Sequence, residues 1–395
     1  MKPLATVPEP LSLHDAQKKL LALAATPGTQ TVITAEANGR YLAQALAAQR
    51  TQPPTDLSSM DGYAISGSGP WRIIGESRCG KPFTGIVQHA QAVRISTGAA
   101  MPKGADRVLI QEDARTDGAT IGALSSPPDR HYIRQTGFDF HTGDRILAAG
   151  TRIGPAQIAL ALSAGHGVLE VMRLPSLALI EGGDELVADP AQAGLSAIPA
   201  SNNAMLTALC EGLTRKTDII GPVEDTVSAL GAALDAARNA DIIVTSGGAS
   251  VGDYDLVQPA LKQFGAEIAF WRVAIKPGKP LLVAQRGRQI ILGLPGNPVS
   301  SFTTAFLFLL PLLKQMAGSP SPMPQKLSAT LADTLPPGGP RREFVRGIWD
   351  GSRVTPIAEQ DSSALRALAS ANAFIERPEN CGSATMGTDV PIYPF

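Results

Sequence analysis

Between residues 175 and 318, apolar runs of strand length alternate with amphipathic helical stretches, and this alternation constrains the chain more than any other feature. Strands are expected at Leu177–Ile180, Asp218–Ile220, Ile242–Thr245, Glu267–Phe270, Leu281–Ala284 and Gln289–Leu292. Helices are expected over 202–212, 226–238 and 256–264, and from Pro298 to Leu313. A parallel neighbour is reached only through a crossover, so such alternation implies an α/β fold: a mostly parallel sheet with helices on both faces. Ligands of open α/β sheets bind outside the carboxyl ends of the strands, which directs attention to the loops there.

The flanking regions have a different character. Residues 11–25 read as an amphipathic helix, with Ser12 and Asp15 at capping-box spacing and Leu13, Ala16, Leu20 and Ala24 on one face. A second short helix is expected at 36–48, before Pro53-Pro54 breaks the pattern. Residues 53–150 carry short β-rich runs (Trp71–Ile74, Ala92–Ile95, Arg107–Gln111, His131–Arg134) between Gly/Pro turns. A helix returns after Gly154-Pro155 and ends at Gly165. The stretch 318–325 is a linker by its prolines, and 326–395 again reads as short strands and turns. The expected organisation is a multi-domain one: 1–50 with 145–174 as a helical linking subdomain, 51–144 as a β-rich insert, 175–318 as the α/β unit, and 319–395 as a β-rich C-terminal unit.

Composition narrows the function classes. The 395 residues hold Lys+Arg 34 against Asp+Glu 35, a balance that excludes a non-specific nucleic-acid or membrane-surface binder. Cys79, Cys210 and Cys381 are too far apart for a disulfide framework or a C-x-x-C zinc site, and the five histidines show no H-x-x-x-H spacing. A reducing cytoplasm is the expected compartment. Asp15, Lys18 and Lys19 interrupt any signal-peptide core, and the most apolar run, Phe302 to Leu313, is about one third short of a membrane span.

Three loops invite anions. The run Thr245-Ser246-Gly247-Gly248-Ala249-Ser250-Val251-Gly252-Asp253-Tyr254-Asp255 follows an apolar strand and opens a helix. Its glycines let backbone N–H groups approach a phosphate, the helix start favours negative charge, and Ser246 and Ser250 add donors. Lys276-Pro277-Gly278-Lys279-Pro280 sets two lysines on a stiffened loop, which suits an oxyanion; a solvated surface turn is the alternative. In Gly293-Leu294-Pro295-Gly296-Asn297-Pro298-Val299-Ser300, Asn297 is a good N-cap and Pro298 a good first helical residue, so helix-start chemistry and a further anion site read equally well. Gly182-Gly183-Asp184-Glu185 closes the first strand, and carboxylates beside phosphate loops commonly hold a divalent cation. In the β-rich region stand Ser59-Met60-Asp61-Gly62-Tyr63-Ala64, Arg94-Ile95-Ser96-Thr97-Gly98-Ala99 and Gly137-Phe138-Asp139-Phe140. The stretch Gly75 to Pro82 misses the phosphate-loop pattern G-x-x-x-x-G-K-[ST] at its last position, where Pro82 has neither a hydroxyl nor an N–H, and an NTPase is discounted.

Taken in order, S-M-D-G-Y-A, R-I-S-T-G-A, T-S-G-G-A-S-V-G-D-Y-D, I-K-P-G-K-P and G-L-P-G-N-P-V-S resemble the MoeA family, the molybdopterin molybdenumtransferases, related to the E domain of gephyrin. The resemblance covers nearly the whole chain. It implies an elongated homodimer with a molybdopterin-binding unit at 175–318 and a β-barrel-like unit at 319–395. The implied activity completes the molybdenum cofactor: molybdate enters the dithiolene of adenylylated molybdopterin and AMP leaves, with Mg2+. By position, Ser246, Gly247, Gly248 and Ser250 would cradle the pterin phosphate, with Pro295, Gly296 and Asn297 as further substrate-binding residues. Asp225 and Asp255 would act near the adenylate and the metal, and Glu185 matches the glutamate of the family's first loop, so Asp255 and Glu185 are the implied metal ligands. Lys276 and Lys279 would attract molybdate, while Asp61, Thr97 and Asp139 would reach the cleft from the other protomer. Molybdopterin adenylyltransferase and molybdoenzyme maturation proteins are the implied partners, with no nucleic acid and no membrane.

Two departures stand out. The family's Ser-Thr-Gly-Asp-Glu-Leu reads Glu181-Gly182-Gly183-Asp184-Glu185-Leu186, and its D-x-N reads Ala200-Ser201-Asn202, one carboxylate fewer. Two rivals are weighed: a sister enzyme on the same α/β fold, either an adenylyltransferase or a nucleotide deamidase, and a non-catalytic scaffold. The lysine loop and the attached β-rich units favour the transferase over the sister enzyme. The intact Asp61, Asp255, Lys276 and Lys279 argue against scaffolding.

Overall fold

Six strands form the sheet that the alternation predicts: β1 (Ser176–Gly182), β2 (Lys216–Val223), β3 (Ile242–Ser246), β4 (Glu267–Trp271), β5 (Leu282–Arg286) and β6 (Gln289–Leu294), in the order β2-β1-β3-β6-β5-β4. The computed structural model describes residues 9–125, 131–247 and 254–395. By its contacts the chain divides into two units, residues 1–30 with 171–395, and 31–170.

In the first unit β2, β1, β3 and β6 pair in parallel, and β5 alone runs against its neighbours. Successive side chains face opposite sides. Leu177, Leu179, Ile242, Val244, Ile290 and Leu292 face one core, and Ala178, Ile180, Ile243 and Ile291 the other. Both faces are covered, which is why these strands read as nearly unbroken apolar runs. Each fully buried aliphatic side chain contributes about 1.5–3 kcal/mol. Helices Val227–Ala236 and Tyr254–Phe264 cover the second face.

The first face is covered by the helix Leu13–Leu23 and by the apolar helical stretch Pro298–Met316. Of the expected capping box the N-cap half forms: Ser12 Oγ accepts the Asp15 N–H at 3.1 Å, while the Asp15 carboxylate takes the Ser12 hydroxyl at 2.7 Å in place of its backbone N–H. Pro298–Met316 is long and apolar enough in composition to cross a membrane, longer than the sequence run implied, yet 83% of it is buried inside the protein, as a core helix is. Pro311 has no N–H to give the Leu307 carbonyl four residues back, and the segment Ala305–Leu309 widens to a π-helix. Gln17 Nε2 supplies that carbonyl with a donor at 2.9 Å, from 290 residues away.

The C-terminal strands close on themselves. Arg342–Trp349, Arg353–Pro356, Leu327–Leu331, Asp389–Pro394 and Ala373–Arg377 form a five-stranded barrel, completed by pairing of the first with the last. Ile275–Lys276, at the lysine loop, joins the barrel in parallel beside Arg342–Glu343.

In residues 31–170 a six-stranded mixed sheet runs in the order Arg107–Ile110, Gly62–Ile65, Gln91–Ile95, Trp71–Ser77, Thr120–Ala123, Ala114–Asp117. The helix Pro155–Ser163 lies where expected. The helix expected at 36–48 does not form. A 3-10 turn at Thr34–Glu36 is followed by extended chain, because Gly39 adopts a φ of +80° and residues 39–42 take ladder bonds with 151–153. Leu46–Ala47 pairs with Arg145–Leu147. Helical propensity yields here to tertiary pairing.

Candidate functional site

The strand order reverses direction at β1, whose neighbours β2 and β3 carry the chain to opposite sides, and a cleft opens at the carboxyl ends of β1, β3 and β6. Its cavity measures about 1400 Å3. The α/β loops make one wall, and the lysine loop with the barrel makes the other.

On the α/β wall the chains fit backbone to backbone. Ser246 is 1% exposed at the end of β3. Gly247 follows with a φ of +95°, and a Cβ there would overlap the Gly182 carbonyl oxygen, so only glycine fits. Its N–H donates to Leu294 O at 3.3 Å, joining the loops after β3 and β6. Asn202 sits between them: Nδ2 donates to Ser246 Oγ and to Gly296 O, both at 2.7 Å. Glu181, 2% exposed, accepts the backbone N–H groups of Asn202 and Asn203 at 3.0 and 2.9 Å. Among the described residues, Oδ1 of Asn202 and of Asn203 are buried without a hydrogen-bond partner. Glu185 and Asp225 line the same cavity, and Asp184 Oδ1 takes the Asp225 N–H at 2.9 Å.

On the facing wall, Gly278 is required for close packing, since a Cβ would lie 2.6 Å from Thr304 Cγ2. Lys276 and Lys279 are exposed and line the cavity. Lys276 Nζ meets Glu343 Oε1 at 3.1 Å. The barrel adds Arg341, Arg377, Gln360, Ser362 and Ser363 to the lining. Arg346 stands 1% exposed beneath the 359–361 turn and donates to Glu359 O at 2.8 Å and Asp361 O at 3.1 Å. Burial holds its pKa below the usual arginine value, although Glu359 and Asp361 oppose the shift.

One cavity therefore brings together Glu185, Asp225, Ser246, Gly247, Lys276, Lys279, Pro295, Gly296 and Asn297. Gly248 and Ser250 lie outside the described residues; Asp255 lies in the first turn of Tyr254–Phe264, and its side chain is likewise outside them. Asn297 occupies the N-cap position without capping by its side chain. Instead, Nδ2 donates to Ser362 Oγ at 2.8 Å, tying the helix start to the barrel.

In residues 31–170, antiparallel pairing of Gly62 with Ile95 carries Asp61 to Thr97. The Asp61 carboxylate accepts the Thr97 N–H at 2.6 Å and its hydroxyl at 3.0 Å. These bonds hold its pKa below the usual carboxylate range, the backbone bond contributing most. Asp139 is exposed in a separate turn, where its N–H donates to Gln52 O.

The residues to which the sequence reading assigned no role are Glu181, Asn202, and Arg341 and Arg377 of the barrel wall. Glu181 and Asn202 were visible only as departures or remnants of a pattern. Gln360, Ser362 and Ser363 keep the outline of the family's tail, whereas Arg341 and Arg377 had no local signal, because closure of the barrel brings 335–345 and 356–363 to one rim.

Known proteins offer close parallels. Residues 11–165 match the MoeA N-terminal region (domain I and II), 178–315 a "Probable molybdopterin binding domain", and 328–395 the MoeA C-terminal region (domain IV). A molybdopterin molybdenumtransferase of Haemophilus influenzae is 32% identical over 98% of both chains. One of a Nostoc species is 35% identical over 73% of this chain and 70% of its own. The crystal structure of a molybdopterin biosynthesis moeA protein from Pyrococcus horikoshii superposes with a TM-score of 0.85 at 27% identity, covering 98% of this chain and all of the other.

Proposed function

The chain belongs to the MoeA family, and on that footing we propose that its cleft inserts molybdate into the dithiolene of adenylylated molybdopterin and releases AMP. It is an enzyme of molybdenum cofactor biosynthesis, a molybdenum transferase. The observation that carries this reading is the single cavity in which the tightly packed loops after β1, β3 and β6 face the lysine loop. A pterin phosphate, an adenylate and an oxyanion are all anions, and such a cleft offers each of them backbone N–H groups, hydroxyls or ammonium groups. Catalysis then consists mainly of positioning and electrostatic stabilisation.

In this reading Ser246 and Gly247, with Gly248 and Ser250 beyond them, hold the pterin phosphate. Pro295, Gly296 and Asn297 border it. Lys276 and Lys279 draw the oxyanion in, and Lys276 exchanges its partner Glu343 for the incoming charge. Asp225 and Asp255 act beside the adenylate. Among the described residues no three or more His, Cys, Asp or Glu side chains form a metal cage. That fits Mg2+, which commonly takes one or two carboxylates and completes its shell with water and substrate phosphate. Glu185 on the cavity wall and Asp255 are the carboxylates that would hold it, and when bound it neutralises phosphate charge. The test is AMP release from adenylylated molybdopterin, measured with and without molybdate. Release that ignores molybdate, or none at all, sinks the proposal.

We further propose a cytoplasmic homodimer in which Asp61, Thr97 and Asp139 serve the cleft of the partner. Mixing inactive Asp61→Ala with inactive Asp255→Ala protein then restores roughly a quarter of wild-type activity at full random exchange, as half the dimers are mixed and half their sites intact, provided sites act independently. Verified exchange without recovery places the site within one chain.

A further inference from the structure

We propose that Glu181 is a positioning residue for the phosphate-holding wall: its buried carboxylate clamps the start of the helix Asn202–Leu209 and, through Asn202, sets the spacing of the loops after β3 and β6.

The geometry builds this in steps. Glu181 follows Leu177 and Leu179 on the same face of β1 and pairs in register with Ser246 of β3. The alternation of the strand thus aims it at the layer in which Leu206 of the helix Asn202–Leu209 is buried. A helix start leaves N–H groups without intrahelical partners, and they favour negative charge. Ser201, the N-cap, forms no side-chain hydrogen bond, so the first two N–H groups depend on Glu181, which takes one on each oxygen at 3.0 and 2.9 Å. Held there, Asn202 spends both Nδ2 protons on Ser246 Oγ and Gly296 O at 2.7 Å each. All members of this chain of contacts except Gly296 are buried, and the Oδ1 of Asn202 has no partner of its own. The amide is therefore held by what it donates and by the backbone that Glu181 fixes. Without the carboxylate, two buried N–H groups lose their acceptor and Asn202 no longer has one defined position between the loops. The loss falls on the loops that line the cleft, while the lysine wall keeps its own supports.

The experiment combines amide hydrogen exchange over residues 201–209 with kinetics of molybdenum insertion; only the kinetic arm rests on the function proposed above. In Glu181→Ser, exchange at Asn202 and Asn203 is expected to rise about tenfold or more. The kcat/KM for the pterin substrate is expected to fall about 10–100-fold, with the KM for molybdate within about twofold of wild type. Adding Ala200→Asp, which puts a carboxylate two residues before the helix, is expected to restore both protection and kcat/KM. If Glu181→Ser does not fold, Glu181→Gln, which keeps one good acceptor, is read the same way with a smaller loss. Unchanged exchange, faster exchange with unchanged kinetics, equal losses for pterin and molybdate, or a folded double variant that recovers neither readout overturns the inference. Protection lost and recovered in proteins that never release AMP, wild type included, overturns the function and leaves the clamp standing.

Discussion

On the α/β side of the cleft Ser246 is 1% exposed and Gly247 fits against Gly182 only for want of a Cβ, whereas on the facing side Lys276 keeps 55% of its side chain exposed and meets Glu343 at 3.1 Å. The first wall is specified by shape: there is no room for a Cβ between Gly247 and Gly182, and the carboxylate that braces it, Glu181, is itself buried. The second is specified by charge on flexible stems, and its partners are exchangeable. On the function proposed above, such a cleft would hold the larger substrate by contour and recruit the smaller ion by field. It follows that the same size of chemical change should cost far more on one side than on the other.

The largest expected effect is at Gly247. Gly247→Ala forces the loops after β1 and β3 apart, and kcat/KM for the pterin substrate should fall by about a hundredfold or more, as displacement of a reacting group by about 1 Å does. The loss should be the same at low and high salt. An alanine variant with wild-type kinetics would show that the wall is pliable. Next comes Lys279→Ala, for which the KM for molybdate should rise about three- to tenfold, with pterin binding little changed. Added salt should shrink the difference between variant and wild type, because exposed charges are screened over about 8 Å at physiological ionic strength. Equal weakening toward both substrates would count against the division between the walls.

The smallest effect concerns Asp61, a charge held by shape. Thr97→Val removes the hydroxyl bond but keeps the stronger backbone bond, so the Asp61 carboxyl should titrate at a somewhat higher pH, seen directly by carbon NMR of the carboxyl group. The sign follows from the depressed value. The contribution of these bonds to stability is present above the unfolded pKa, about 3.9, and is lost as pH falls through the lower folded one. In the variant the loss starts at the same unfolded pKa, is smaller, and is complete at a higher pH. A carboxyl that titrates where it does in wild type would assign the depression to the backbone N–H alone.

The division between the walls also explains what could be read from the chain. The α/β unit was legible because its central strands are apolar on both faces and its loops carry their own glycines and caps: Ile242–Thr245 and Gly247 announce strand and turn within a few residues. The barrel wall was not, since Arg341, Ser362 and Arg377 become neighbours only when five strands close, and nothing local marks that closure. The failed helix at 36–48 has the same origin: Gly39 and the pairing with 151–153 are decided more than a hundred residues away. Asn297 shows the intermediate case. Its position at a helix start was plain, but its side chain answers to Ser362, a partner 65 residues on.

The bond from Gln17 to Leu307 has a consequence for the order of events at the ribosome. The helix Leu13–Leu23 is among the first segments made, yet the carbonyl it serves, and most of the face it covers, belong to residues that emerge almost 300 positions later. At ordinary elongation rates that interval is on the order of tens of seconds. Residues 31–170, contiguous in the chain, have everything their sheet needs well before then. The N-terminal helix must therefore wait with its apolar stripe unserved while the second unit folds behind it, and it docks only once the Pro311 stretch has cleared the exit. For this chain the beginning of the sequence is placed by residues made late, and only the C-terminal barrel of its unit is made later still.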